Sequence, residues 1–285
     1  WESFPEYMDY IASRRYSLDI GAQIAHGSLR YYVMGERGRM NEEATPDDLR
    51  QMSQLVTEAV QAGALGFSTS RTIGHRALDG SPVPGTFAPD QELSAIADAM
   101  ARAGRGVFEM IPAGTVGKLE RLGGERTTPE AEVELMADFS RQSGRKVTFT
   151  LVQSPDYAPD TWERLLDMVV SANQTGAQLY PQVSSRPIGL ASGLSGYHAF
   201  QRRPTYMKLA HLSLADRARE MAKPEIKAAI MSETDVLVDQ PGSMANMYQL
   251  FQTAAMFLYP LADPVDYEPD PSEMLGSRAA ATGQD

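Results

Sequence analysis

Gly106-Val107-Phe108-Glu109-Met110-Ile111, then Thr128-Pro129-Glu130, then Gly144, then Val147-Thr148-Phe149-Thr150-Leu151-Val152: this passage decides the fold. The two apolar runs are short and rich in β-branched and aromatic residues, the composition of strands. Between them Thr128 offers an N-cap and Pro129 takes the first helical position, where its missing N–H costs nothing. Gly144 supplies the stop. Strand, helix and strand in that order make a βαβ unit, whose strands run parallel and whose crossover is right-handed.

The same unit repeats outward in both directions. Leu65-Gly66-Phe67-Ser68-Thr69 is an apolar run, followed by a helix that begins near Pro89-Asp90, carries Leu93, Ile96, Ala97 and Met100 on one face and stops at Gly104. Downstream, Asp160-Thr161-Trp162-Glu163 has the form of a capping box with its acid at N3. Its helix ends at Gly176, before Ala177-Gln178-Leu179-Tyr180. Upstream, the segment Leu18 to His26 reads as a strand with a polar outlet. Thr45-Pro46-Asp47-Asp48 then caps a helix carrying Leu49, Met52, Val56 and Val60 as far as Gly63. Phe4, Tyr7, Met8 and Ile11 give the first residues a helical spacing.

Beyond Arg186 the rhythm stops. Pro187 to Phe200 is rich in Gly and Ser and reads as a long loop. Leu212 to Ala222, Pro224 to Met231 and Asn246 to Leu258 read as helices, and Thr234 to Asp239 as a further strand. Pro260 to Pro271, dense in proline and acid, reads as extended and solvated. The organisation is α/β with about five or six parallel strands, short of the eight of a closed (β/α)8 barrel. We expect one incomplete barrel domain over 1–285, with βα repeats over 1–186 and a loop and helical insertion region over 187–285. The start at Trp1 and the close at Gln284-Asp285 read as a segment cut at both ends.

The chain has 285 residues, 42% hydrophobic and 22% charged, within the ordinary range of a globular domain. Its net charge of −11 argues against a nucleic-acid partner, which calls for a basic footprint. No apolar run is long enough for a membrane span, so no membrane partner is expected. With no cysteine, disulfides, Cys-ligated zinc and thiol catalysis are excluded. The cytoplasm is the default compartment. The oligomeric state is not legible.

In parallel α/β architectures ligands bind outside the carboxyl ends of the strands. The polar residues that end the apolar runs are His26 with Arg30, Ser68 with Ser70, Glu109, Gln153, and Tyr180 with Gln182 and Arg186. We expect Arg30, Ser68, Glu109, Gln153, Gln182 and Arg186 to line one cavity, with Arg30 or Arg186 facing a substrate carboxylate because a guanidinium matches it bidentately. Four histidines are available for metal or base chemistry: His26, His75, His198 and His211. A lone histidine is more often a satisfied structural residue than a ligand. No HxH, HExxH, GxGxxG, GxxxxGK[ST] or GxSxG pattern occurs. Glu109 is the one strand-end carboxylate, which argues against a glycosidase and its carboxylate pair.

Several stretches together resemble the D-aminoacylase, or N-acyl-D-amino-acid deacylase, branch of the amidohydrolases. They are Ile24-Ala25-His26-Gly27-Ser28-Leu29-Arg30, Gly63 through Ser70, Pro84-Gly85-Thr86-Phe87-Ala88, Tyr180-Pro181-Gln182-Val183, Leu212 through Arg217 and Asp263-Pro264-Val265-Asp266-Tyr267. The resemblance implies a TIM-like barrel of the metal-dependent hydrolase type, present here in part. It implies hydrolysis of N-acyl-D-amino acids, or a related small-molecule amide, by zinc-activated water with an Asp as general base. It also implies that the HxH strand precedes Trp1 and that the catalytic Asp follows Asp285. By the same alignment, Leu151 and Tyr180 stand where the family places metal ligands, which leaves His26 as the metal candidate. The resulting expectation is an amidohydrolase segment that is inactive and binds no zinc tightly by itself. The alternative is a barrel relative with a different or lost metal site, acting as a small-molecule binding module.

Overall fold

The structure is a computed structural model that describes residues 1–77, 81–115, 117–118, 127–154, 156–185, 193–196, 198–237, 258–259, 263–264, 266 and 269–283. The chain divides into two compact units, Trp1–Val183 and Ser184–Asp285.

The first unit holds one five-stranded sheet, all parallel, in the order β1 (Ile24–Ala25), β2 (Gly66–Ser70), β3 (Val107–Ile111), β4 (Lys146–Thr150) and β5 (Leu179–Gln182). Its helices are α1 (Phe4–Ala12), α2 (His26–Met34), α3 (Glu36–Arg39), α4 (Pro46–Gln61), α5 (Asp90–Ala103), α6 (Pro129–Ser143) and α7 (Thr161–Gln174). The expected sequential order of parallel strands is therefore the observed one, and the architecture is a partial TIM-like barrel.

Local chemistry accounts for most boundaries. Thr45 caps α4 through a full capping box with Asp48, and the Thr128 side chain accepts from the Ala131 N–H at the start of α6. Gly104 and Gly144 close α5 and α6 in the left-handed conformation, which glycine adopts without a Cβ penalty. Asp160 departs from the expected capping box. Its backbone sits at φ −89°, ψ 0°, outside the extended region, and its side chain makes no cap hydrogen bond.

The strand expected from Leu18 to His26 shrinks to Ile24–Ala25, the two residues that pair with β2. Leu18 is 79% exposed and Ile20 47%, so apolar character upstream finds neither a ladder nor a core. His26 itself opens α2, which buries His26, Leu29, Arg30 and Met34 on one face.

Register shows how the sheet divides its two faces. Ile24, Phe67, Phe108, Val147 and Leu179 stand side by side across the strands and are all buried against the helices. Ring centroids of His26 and Phe67, and of Phe67 and Phe108, lie 5.2 Å apart, and Phe108 stacks on Phe139 of α6 at 5.6 Å. Each fully buried Phe of this kind contributes about 2–3 kcal/mol of apolar transfer energy. One residue further along, the row reads Ala25, Ser68, Glu109, Thr148 and Tyr180. These face the opposite way, because successive side chains in a strand alternate. Gly66 lets β2 start hard against β3: a Cβ there would stand 1.9 Å from the Val107 carbonyl oxygen.

The second unit contains α8 (Pro204–Leu209), α9 (Leu214–Met221), α10 (Pro224–Ser232) and a final helix, α11 (Leu275–Thr282). Tyr206 and His198 form an edge-to-face pair at 4.5 Å, and Arg217 Nη1 donates to the Tyr206 hydroxyl at 2.9 Å. The two helices expected over 212–231 are present as α9 and α10. The strand expected over 234–239 is not formed by its described residues, 234–237, in which Val236 N–H donates to the Arg202 carbonyl. The helix expected over 246–258 lies, apart from Leu258, outside the described residues, as does much of 260–271. Among the described residues no helix is long and apolar enough to cross a membrane.

Candidate functional site at the open face of the sheet

The face of the sheet turned away from the helices is mostly polar, with Val107 and Ile111 of β3 as apolar members. Ser68, Glu109, Thr148 and Tyr180 lie in one register row, and Ser70 and Gln182 follow two positions nearer the carboxyl ends of their own strands. Gln23, just before β1, donates from Nε2 to Glu109 Oε2 at 2.6 Å. Gln182 Nε2 donates to Thr148 Oγ1 at 3.0 Å, and that hydroxyl donates to the Tyr180 carbonyl at 3.0 Å. Ser70 Oγ and His75 Nδ1 are 2.9 Å apart. In a parallel sheet both faces are ordinarily apolar and covered. The row of hydroxyl, carboxylate and phenol groups on one face departs from that pattern.

Of the expected site residues, the structure thus brings Ser68, Ser70, Glu109, Tyr180 and Gln182 onto one face. Tyr180 is 47% exposed, with the Lys146 ammonium 5.5 Å from its ring centre. Gln153 stands elsewhere. It lines a cavity between α6 and α7, together with Ala113, Met136, Leu151, Tyr157 and Trp162. Arg186 lies outside the described residues.

Arg30 and His26 occupy the buried side. Arg30 Nη1 donates to both carboxylate oxygens of Glu92 at 2.5 Å, and Nη2 donates to the Glu42 carbonyl. Its guanidinium is held by the protein's own acid and is not presented to a cavity. His26 Nε2 lies 2.7 Å from Glu92 Oε1, and Nδ1 lies 2.8 Å from Thr69 Oγ1. Burial drives the His26 pKa below its ordinary value, against the pull of Glu92. Burial also opposes ionisation of Glu92, but the hydrogen bonds and charges of His26 and Arg30 prevail and hold its pKa low. An ionised Glu92 only accepts, so in this network His26 carries its proton on Nε2 and its Nδ1 accepts from the Thr69 hydroxyl. Gly85 packs on the ring; a Cβ there would come 2.6 Å from Nδ1.

A second pair repeats this device one unit along. Arg71, directly after β2, donates from Nε and Nη2 to Glu132 of α6 at 3.1 and 3.2 Å, and from Nη1 to the Ala88 carbonyl at 3.1 Å. The Ala113 N–H donates to the same carboxylate at 3.0 Å. None of Glu92, Glu132, Arg71 and Gln23 was singled out as a site residue in the sequence. The two glutamates had a visible signal, an acid in the first turn of a helix, but that pattern is shared with any helix start.

The donor set does not fit a catalytic zinc. Such a site takes three protein ligands and keeps an open position for water. Among the described residues no group of three His, Asp or Glu side chains converges. Both ring nitrogens of His26 are engaged, and His75 is turned to Ser70. Leu151 is a buried core residue, and Glu109 has Gln23 as its partner.

The fold is a partial TIM-like barrel, represented by its sequential βα units. Solved deacylases share it. N-acyl-D-glutamate deacylase from Bordetella bronchiseptica, crystallised with zinc and a phosphonate that mimics the tetrahedral intermediate, aligns at a TM-score of 0.50 and 19% identity, over 65% of this chain and 34% of that one. A D-aminoacylase structure described as defining a novel subset of amidohydrolases aligns at 0.51 and 18%, over 80% and 44%. A D-aminoacylase structure from work on its binuclear metal centre aligns at 0.50 and 18%, over the same shares. At these identities the likeness is one of fold, and the chain spans between about a third and under half of the length of those structures. No protein-family profile and no curated protein sequence matches the chain.

Proposed function

We propose that this chain carries the substrate-holding face of a hydrolase that acts on carbon–nitrogen bonds other than peptide bonds, and that its ligands are N-acyl-D-amino acids or closely related amides. The observation that carries the reading is the row Ser68, Glu109, Thr148 and Tyr180, backed by Gln23 and Gln182, on one face of a sheet whose fold is shared with deacylases. An N-acyl amino acid presents an amide N–H, an amide carbonyl and a carboxylate. Glu109 can accept the N–H, and the Gln23 and Gln182 amides and the Ser68 hydroxyl can donate to the oxygens.

Among the described residues no set of zinc ligands converges. The groups described here bind and orient an amide; the activation of water lies with groups they do not supply. The locked state of His26 favours a second reading, a binding module on the same barrel that holds an amide without hydrolysing it. Titration of the purified chain with a panel of N-acetyl-D-amino acids and their L enantiomers, followed by NMR, tests both readings. Shifts confined to the strands of the open face, stronger for the D series, are expected. No shift with any member of the panel would remove both, and release of acetate by the chain alone would remove the second.

A further inference from the structure

We propose that Arg76 is an anion-binding residue that takes a planar oxyanion, a carboxylate, beside the carboxyl end of β2. Its Nε, Nη1 and Nη2 are all out of solvent, and none of them has a hydrogen-bond partner among the described residues. Arg76 as a residue is half-buried, and the contrast with the first unit's buried arginines is direct. Arg30 has Glu92, and Arg71 has Glu132. A guanidinium withdrawn from water without acceptors leaves its desolvation uncompensated, a state proteins avoid.

The backbone around Arg76 is fastened down. Arg76 pairs with Pro82 in an antiparallel bridge, and the Ala77 N–H donates to the Ser81 carbonyl at 2.9 Å. Asn41 holds the return of this loop, donating to the Val83 carbonyl at 3.3 Å and accepting from the Gly85 N–H at 2.8 Å. The backbone that bears Arg76 is thus tied to the described residues 81–85. Its neighbour His75 contacts Ser70, the last residue of β2, so the loop segment bearing Arg76 is tied to the carboxyl end of that strand.

The planar fork of a guanidinium matches a carboxylate with two parallel N–H···O bonds. A free inorganic anion shares part of that chemistry. When the anion is the carboxylate of an N-acyl amino acid, the inference rests on the functional reading above; the anion site itself does not.

The test uses the full chain, as wild type, Arg76→Gln and Arg76→Lys, in Tris–chloride of low ionic strength. Melting temperature and calorimetric titration are followed with acetate, inorganic phosphate, N-acetyl-D-alanine and N-acetyl-D-alaninamide, which lacks the carboxylate. Wild type should gain thermal stability with N-acetyl-D-alanine and acetate and little with the amide. R76Q should melt at or above wild type without added anion, because it removes an unpaired buried charge, and its affinity should fall about tenfold or more. R76K, which keeps the charge and loses the fork, should fall between the two and serves as the deciding variant if R76Q does not fold. An unchanged anion response in R76Q or R76K overturns the proposal. So does a wild type that responds to none of the three anions. If acetate and phosphate bind through Arg76 but N-acetyl-D-alanine binds no better than acetate, the anion site stands and the deacylase reading falls.

Discussion

Glu92 receives both contacts of Arg30 Nη1 at 2.5 Å, with neither side chain reaching solvent. The two residues belong to different βα units: Arg30 lies on the helix that follows β1, and Glu92 in the first turn of the helix that follows β2. The Arg71–Glu132 pair joins the next two units in the same way. Each pair ties the carboxyl end of one strand to the helix start of the following unit. That end of the sheet is where the polar face opens, so these pairs hold the frame on which Ser70, His75 and the loop to Ala88 are carried.

Removal of one partner from such a pair leaves the other charge buried and uncompensated, at a cost of about 3–5 kcal/mol. Glu92→Gln should therefore shift the urea midpoint to that extent with an unchanged m-value. Glu109→Gln, on the open face, should change stability by about 1 kcal/mol or less. An E92Q protein as stable as wild type would show that the Arg30 contact contributes nothing to the fold.

Stability should fall on mild acidification. The folded His26 has a pKa below its ordinary value of 6.5, so the unfolded chain takes up that proton first as the pH falls through this range. Stability is full above the unfolded value and declines from there toward the folded one. Glu92 has a depressed folded pKa and adds a second loss lower down, beginning at the ordinary carboxylate value and continuing below it. Urea midpoints at pH 7.5, 6.5 and 5.5 should decrease in that order, and His26→Gln should flatten the upper part of the decline. A wild type equally stable at pH 7.5 and 5.5 would exclude His26 as a buried neutral imidazole.

Neighbours on β2 should respond in opposite ways. Phe67 is fully buried between His26 and Phe108, and its replacement by Ala should cost about 3–5 kcal/mol. Ser68→Ala, one residue along and on the other face, should stay within about 0.5 kcal/mol of wild type while weakening N-acyl amino acid binding. Comparable losses of stability in both variants would mean that the sheet presents no open face at Ser68.

Strand order, parallel direction and the helices between were legible in the chain because their causes are local. The apolar run of Val107 to Ile111, the Thr128 cap and the Gly144 stop each act within a few residues, and short connections leave little choice of neighbour. That Ser68, Glu109, Tyr180 and Gln182 share one face was legible for the same reason, since strand alternation alone sends them there. The extent of β1 was not, because a strand lasts only as long as its partner's ladder, and the partner lies more than forty positions on. Nor were the roles of Arg30 and His26: both stand at a strand end, where a ligand is expected, yet both turn inward to Glu92, 62 and 66 positions away. Local pattern decides which face a side chain takes within its own element. Which charge it meets there, and whether, like Arg76, it meets none, is decided only when the returning chain brings distant units into contact, because the energy of a buried charge depends on partners that no local pattern encodes.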